Sequence, residues 1–409
     1  MFSALQIFHN GKIAIFELSG FERIFRWFWL FGPFFLLIER TPADVWLSTI
    51  ALVFLCRSLL NRDFSWLKYF WVRTMFLFWG VCFLSAAFSP SPLYALGESA
   101  AWLRFPLFAI ATVFWLGNDK RLLTLMLFST VFALLTMCAI LASEIFIEGL
   151  KPRLSWPYDD LVPGNYLAKV GLPIVVFAVA IFLSFKGLRS FMAGALTLVV
   201  LVMTLLTGER INFLLILCSC LLTIFVWEQS NRKRAVYGIA MCFILATILL
   251  LFPALFDRFV LAFYDQLPTK VDSPYFKAMA PAWLIFEQFP LLGIGPGNFR
   301  YLCSDLISNA SNLECYNHPH NFYLQILAET GIVGFLAMAL FIGSIIGSCV
   351  RAGMGQGSVL YALAWIVPFA FFWPIRSSAD FFGQWNNIFL WTGLSLALAV
   401  SQLKLTFKS

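Results

Sequence analysis

The sequence predicts an all-α protein: a polytopic bundle of about twelve transmembrane helices with one large extracytoplasmic loop. Three observations predict it. Apolar types make up 61% of the 409 residues and charged types 12%, against about 25% charged in a soluble domain. The mean hydropathy is +0.85, too high for a surface that faces water throughout. The apolar residues also fall in runs of about 20, the length that crosses roughly 30 Å of hydrocarbon. The 47 Phe and 15 Trp fit rings that meet lipid and headgroups. The net charge of +7 does not imply nucleic acid, because Lys and Arg are scattered between apolar runs and form no basic stripe.

Taken in order, the expected spans are 24–38, 43–60, 70–88, 97–117, 121–147, 164–185, 190–207, 211–227, 235–256, 321–350, 358–375 and 385–402. No cleavage-site pattern follows the first apolar run, which is read as a retained anchor. Runs such as Ala195 to Leu206 are apolar on every side, and this favours helices over the alternating strands of a barrel. Lys and Arg concentrate in every second loop: Lys12, Arg23 and Arg26; Arg57, Arg62 and Lys68; Lys120 and Arg121; Lys186 and Arg189; Arg232, Lys233 and Arg234; Arg351; Lys404 and Lys408. The positive-inside rule then places both termini in the cytoplasm, with Arg40, Lys151 and Arg153 as exceptions. The chain divides into residues 1–256 with nine spans, a large outer loop at 257–320, and residues 321–409 with three more. An outer loop of roughly 60 residues in a compact protein is usually functional. It is expected to hold an amphipathic helix near Tyr275 to Phe289, then a glycine turn at Gly293-Ile294-Gly295-Pro296-Gly297.

Chemistry-bearing residues cluster on the outer side. Two of the three His lie in His318-Pro319-His320-Asn321, at the start of the tenth expected span. A helix N-terminus lowers an imidazole's pKa and favours the neutral, basic form, which can take a proton from a hydroxyl nucleophile. Asn321, Gln325 and Glu329 recur every four residues as a polar stripe. The plainer reading is a helix cap with a packed ring. Two His without a third ligand are poor evidence for a metal. Thr207-Gly208-Glu209-Arg210 is a tight turn between two spans. Arg210 suits phosphate, which a guanidinium binds through paired bonds; snorkelling, or pairing with Glu209, is the plainer reading. Arg104 and Lys169 sit roughly 8–10 Å inside their spans near the outer face, where a cation needs a partner such as a lipid-linked diphosphate, or snorkels. Arg258, Lys270, Lys277 and Arg300 are further cations of the large loop. Arg376 and Asp380 in the last outer loop are a similar case, with mutual pairing as the plainer reading. Cys303 and Cys315 face an oxidising compartment in this topology, and a disulfide between them would stiffen the approach to the His motif. The other seven Cys read as small packing residues.

Leu292-Gly293-Ile294-Gly295-Pro296-Gly297-Asn298-Phe299, His318-Pro319-His320-Asn321-Phe322-Tyr323-Leu324-Gln325 and Glu329-Thr330-Gly331 together resemble the bacterial O-antigen ligase and O-antigen polymerase superfamily. Arg210 with Leu214 resembles its arginine motif. The resemblance implies a GT-C-like fold and a metal-independent glycosyltransferase without cofactor, in the bacterial inner membrane with its active site facing the periplasm. The implied donor is a glycan on undecaprenyl diphosphate. The implied acceptor is lipid A–core for a ligase, or another glycan repeat for a polymerase. By carry-over His320 activates the acceptor hydroxyl and Arg210 holds the leaving diphosphate. The superfamily's second essential arginine has Arg300 and Arg258 as candidates here, with Lys270 behind them. Arg104, Lys169, Asn321, Gln325 and His318 are expected to help bind substrate. A base opposite the leaving group implies inversion. A carrier is the competing class, although no internal repeat is visible and the polar residues gather on one side. Protein O-glycosylation also occurs within the superfamily.

Overall fold

The computed structural model describes residues 4–158, 160–270, 272–307, 313–354, 359–374 and 378–403, with side chains from residue 8 onward. Arg376, Lys404 and Lys408 lie outside the described residues. Every regular element described is helical. In chain order the main helices are α1 Ala4–Phe16, α2 Gly20–Leu30, α3 Gly32–Ile38, α4 Arg40–Leu60, α5 Phe70–Ala87, α6 Pro92–Leu116, α7 Lys120–Glu148, α8 Val162–Ser184, α9 Leu188–Leu206, α10 Arg210–Trp227, α11 Asn231–Leu251, α12 Pro274–Gln288, α13 Phe299–Leu306, α14 Phe322–Gly353, α15 Val359–Leu363, α16 Ile366–Phe371 and α17 Gln384–Gln402. Their starts follow local chemistry. Asp119 accepts from the Arg121 amide at 2.7 Å to cap α7, and Ser273 caps α12 ahead of Pro274.

Among the described residues nine helices are long and apolar enough to cross a membrane: α4 to α11 and α14. Three expected spans take other forms. The first is split into α2 and α3 just ahead of Pro33. The eleventh is split into α15 and α16. Pro368 has no N–H to give the carbonyl four residues back, so the helix breaks near Ala364. The twelfth, α17, has 19 residues but carries Asn387, Thr392, Ser395 and Ser401, which lower its hydropathy. Every residue from Asn387 to Ser401 is buried. This helix is the bundle's axis, packing on α4, α6, α8 and α14, so protein surrounds it and polar side chains are tolerated. Asn387, for instance, donates to the Phe381 carbonyl at 2.6 Å and accepts from the Trp391 indole at 3.1 Å. The opposite case is α11, where only Leu245 is buried. An apolar helix exposed on nearly all sides has lipid as its partner.

The charged residues sort to two ends of the bundle. At one, Glu22 binds Arg26 (2.9 Å), Arg57 (3.1 Å) and the Trp115 indole (2.7 Å), with Asp119 and Arg121 nearby. At the other, Arg40 stands over the Trp385 ring, and Lys169 reaches Asn386 of the same turn. Helix α4 joins the two ends, and the 17 steps from Arg40 to Arg57 cover roughly 25 Å.

Candidate active site

The glycine turn and α14 form one clasp. At Gly331 α14 leaves helical geometry, with φ 63° and ψ −167°. The turn supplies the backbone bonds that the break removes. Ile332 and Val333 amides donate to the Pro290 and Leu291 carbonyls at 2.8 and 3.3 Å, while Ile294 and Gly295 amides donate to the Ala328 and Glu329 carbonyls at 3.0 and 2.8 Å. Only glycine fits at 331, since an added Cβ would sit 2.2 Å from the Leu291 oxygen. The Glu329 carboxylate, inside the protein, accepts from the Gly297 and Phe299 amides at 3.0 and 3.1 Å. Gln325 donates to Glu329 and, at 2.6 Å, to Asp380; its own carbonyl accepts from the Phe381 amide. Asp380 in turn binds Arg300. The expected polar stripe therefore faces protein and holds two outer segments against α14.

The His motif lies one step further out. Helix α14 begins at Phe322, and Asn321 is its cap, accepting from the Tyr323 and Leu324 amides at 3.0 and 3.2 Å. His320 precedes the cap with φ 54°, in the left-handed region that few side chains adopt. A clip holds it there. The Ser378 amide donates to the His320 carbonyl at 2.7 Å, and Ser378 Oγ accepts from the Phe322 amide at 2.8 Å. The His320 ring lies 4.4 Å from His318, 5.8 Å from Tyr316 and 6.1 Å from Tyr275, centroid to centroid. Burial lowers its pKa, so it is biased to the neutral form. The cause is burial, where the sequence had suggested the helix dipole. His318 is lowered to about 4 by burial, then by His320. Cys303 and Cys315, 12 positions apart, are bonded and close a short loop just ahead of this segment.

A cavity of about 320 Å³ opens beside His320, lined also by His318, Ser378, Tyr275, Arg153, Lys169, Glu209, Arg210 and Arg258. Four cations thus face one carboxylate. Arg210 is the first residue of α10. Its Nη2 binds Gln266, while its Nη1 is buried with no partner among the described residues. Arg258 comes from the short helical stretch after α11, in the wide turn Asp257–Leu261, and its Nε donates to the Gly208 carbonyl at 2.7 Å. Gly208, at φ 68°, permits this approach, because a Cβ there would lie 2.7 Å from that nitrogen. Burial, then Arg153 and Arg210, push the Arg258 pKa down. Lys169 sits in a wide turn of α8, Tyr166–Val170, and donates to Asn165 at 2.7 Å. Such turns recur at functional sites.

The cavity thus gathers His320, His318, Arg210, Arg258 and Lys169 of the residues nominated from sequence. The others lie elsewhere. Arg104 pairs with Asp44 at 3.1 Å and covers the Phe105 ring, so its half-buried charge is already matched. Arg300 binds Asp380, and both this pair and burial act on its pKa: burial lowers it, Asp380 raises it, and the net is upward. Lys270 pairs with Asp265 at 2.9 Å. Asn321 and Gln325 orient backbone rather than line the cavity. Sequence reasoning missed Arg153, which it recorded only as an exception to loop charge, and Ser378, which carries no motif. Among the described residues no group of three or more His, Cys, Asp or Glu could hold a metal ion. No curated protein matches the chain. A family model described as O-antigen ligase matches residues 193–339, from α9 through Arg210, Arg258 and the clasp into α14, and does not reach Arg153.

Proposed function

We propose, from the match of residues 193–339 to a family model described as O-antigen ligase, that this chain belongs to the O-antigen ligase and polymerase superfamily and is a ligase, moving a glycan from undecaprenyl diphosphate to a lipid A–core hydroxyl at the periplasmic face of the inner membrane. The observation that carries this reading is one cavity lined by Arg210, Arg258 and His320. The acceptor oxygen attacks the anomeric carbon, the bond from that carbon to the diphosphate oxygen breaks, and the acceptor proton passes to His320. Negative charge grows on the leaving diphosphate. Fixed cations aimed at developing charge are a large part of catalysis, and in this reading Arg210 and Arg258, which line the cavity, supply them. Holding two bulky reactants in line adds to this. A single displacement with the base opposite the leaving group inverts the anomeric centre.

The test is transfer by the purified full chain in detergent, with a lipid-diphosphate glycan as donor and two rival acceptors, and with chelator present. Glycosylated lipid A–core with inverted configuration is the expected product. Extension of a second lipid-linked repeat would identify a polymerase instead. Retained configuration would rule out the single displacement. An His320→Ala variant that changes solute uptake while leaving transfer intact would point to a carrier.

A further inference from the structure

The cavity pairs its one carboxylate, Glu209, with a cation that the transfer step does not use, Arg153. Arg153 lies in the segment between α7 and α8. The Leu154 amide donates to the Leu206 carbonyl at 2.9 Å, which lays that segment along the end of α9. From there Arg153 reaches across to bind Glu209. Glu209 occupies the cap position of α10, yet its carboxylate makes no cap bond to that helix. It turns to Arg153 instead and leaves the first amides of an 18-residue helix without a side-chain cap. A helix start with open amides is an anion site in waiting. Two guanidinium nitrogens at this spot, Arg153 Nε and Arg210 Nη1, are buried with no partner among the described residues. Buried donors left in that state are uncommon and call for an explanation.

We infer that Glu209 is an internal stand-in for the donor's phosphate: its carboxylate holds Arg153 in the ligand-free protein and gives Arg153 up to the incoming diphosphate. This rests on the diphosphate reading of the cavity. Arg153 then becomes a third guanidinium on the diphosphate beside Arg210 and Arg258. Glu209 is left free to turn toward its own helix. No covalent bond changes. The carboxylate keeps four clustered cations from repelling one another when the site is empty, and it sets a threshold that a singly charged anion does not overcome. A diphosphate, with more charge and two sets of oxygens for the guanidinium forks, displaces it. Glu209 is thereby a specificity element and Arg153 a binding residue.

The test is calorimetric titration of the full chain in detergent with inorganic pyrophosphate and, separately, with inorganic phosphate. Releasing one charge-assisted pair is worth roughly tenfold in affinity. Glu209→Gln is expected to tighten pyrophosphate about tenfold and to narrow its preference over phosphate. Arg153→Ala is expected to weaken it by a similar factor, and Arg153→Lys keeps the charge if the alanine variant does not fold. In the Arg153→Ala background the gain from Glu209→Gln should shrink to about twofold. Equal gains with and without Arg153, or no gain at all, overturn the exchange. Arg210→Ala separates the two failures. If it weakens pyrophosphate while Glu209→Gln does nothing, only the exchange is lost. If neither the native chain nor any folded variant binds pyrophosphate, the diphosphate reading falls and the exchange falls with it.

Discussion

His320 combines a strained backbone, a half-buried ring and a place on the cavity wall. The strain belongs to the Ser378 clip and costs roughly 1–3 kcal/mol, tolerated only where the surroundings enforce it. His320→Ala removes the base, and transfer is expected to fall about 10²–10⁴-fold with pyrophosphate binding unchanged. Both imidazoles have pKa values below the usual 6.5. The neutral base therefore persists to lower pH than for a free histidine. The acid limb of kcat/KM should lie below pH 6.5, and an acid limb at or above it would count against His320. The stability sign follows from the same shift. His318 is neutral when folded down to about pH 4 but protonates near 6.5 when unfolded, so its contribution is complete above that range and is lost as pH falls from 6.5 toward 4. The motif residues were legible in the sequence because residue type and spacing carry their chemistry. Arg153 was not, because a lone loop cation looks like any other until its partner is seen.

At the scale of elements, the clasp between the glycine turn and α14 makes the outer loop one body with a membrane helix. Its parts are visible in the sequence, as Gly-rich turn, Gln325, Glu329 and Gly331. Their connection is not, because it consists of backbone bonds exchanged between segments 34 to 42 residues apart. Gly331→Ala forces a Cβ against the Leu291 carbonyl and is expected to lower the melting temperature sharply, with at least 1–3 kcal/mol, roughly, from backbone strain alone. Glu329→Gln leaves fewer acceptors for two buried amides and should cost about 1–3 kcal/mol, read from the same melts. The Cys303–Cys315 bond closes a short loop beside the His segment. Reducing it, or replacing both residues with serine, should lower thermal stability by up to about 3 kcal/mol and raise hydrogen exchange across 313–320 while sparing α4 and α17.

At the scale of the molecule, hydropathy sees apolar length but not neighbours. It ranks the buried axis α17 below the exposed α11, because the axis carries polar groups along its length that protein satisfies, whereas α11 past Arg234 is almost wholly apolar. Glu22, Arg26, Arg57 and Arg121 gather at one end of the bundle and the cavity cations at the other. A reporter that is active only outside the cytoplasm should work when inserted in the 257–320 loop and fail after residue 402; the reverse result would invert the topology. The near-complete exposure of α11 also predicts how the chain tolerates change. A segment whose neighbours are fluid hydrocarbon reads as a quota of oiliness rather than as a text. Shuffling the order of its apolar residues between 236 and 251 should leave expression and turnover intact, whereas the same shuffle between 388 and 400 should abolish both. Natural variants of this protein are thus expected to drift freely along the first stretch and scarcely at all along the second.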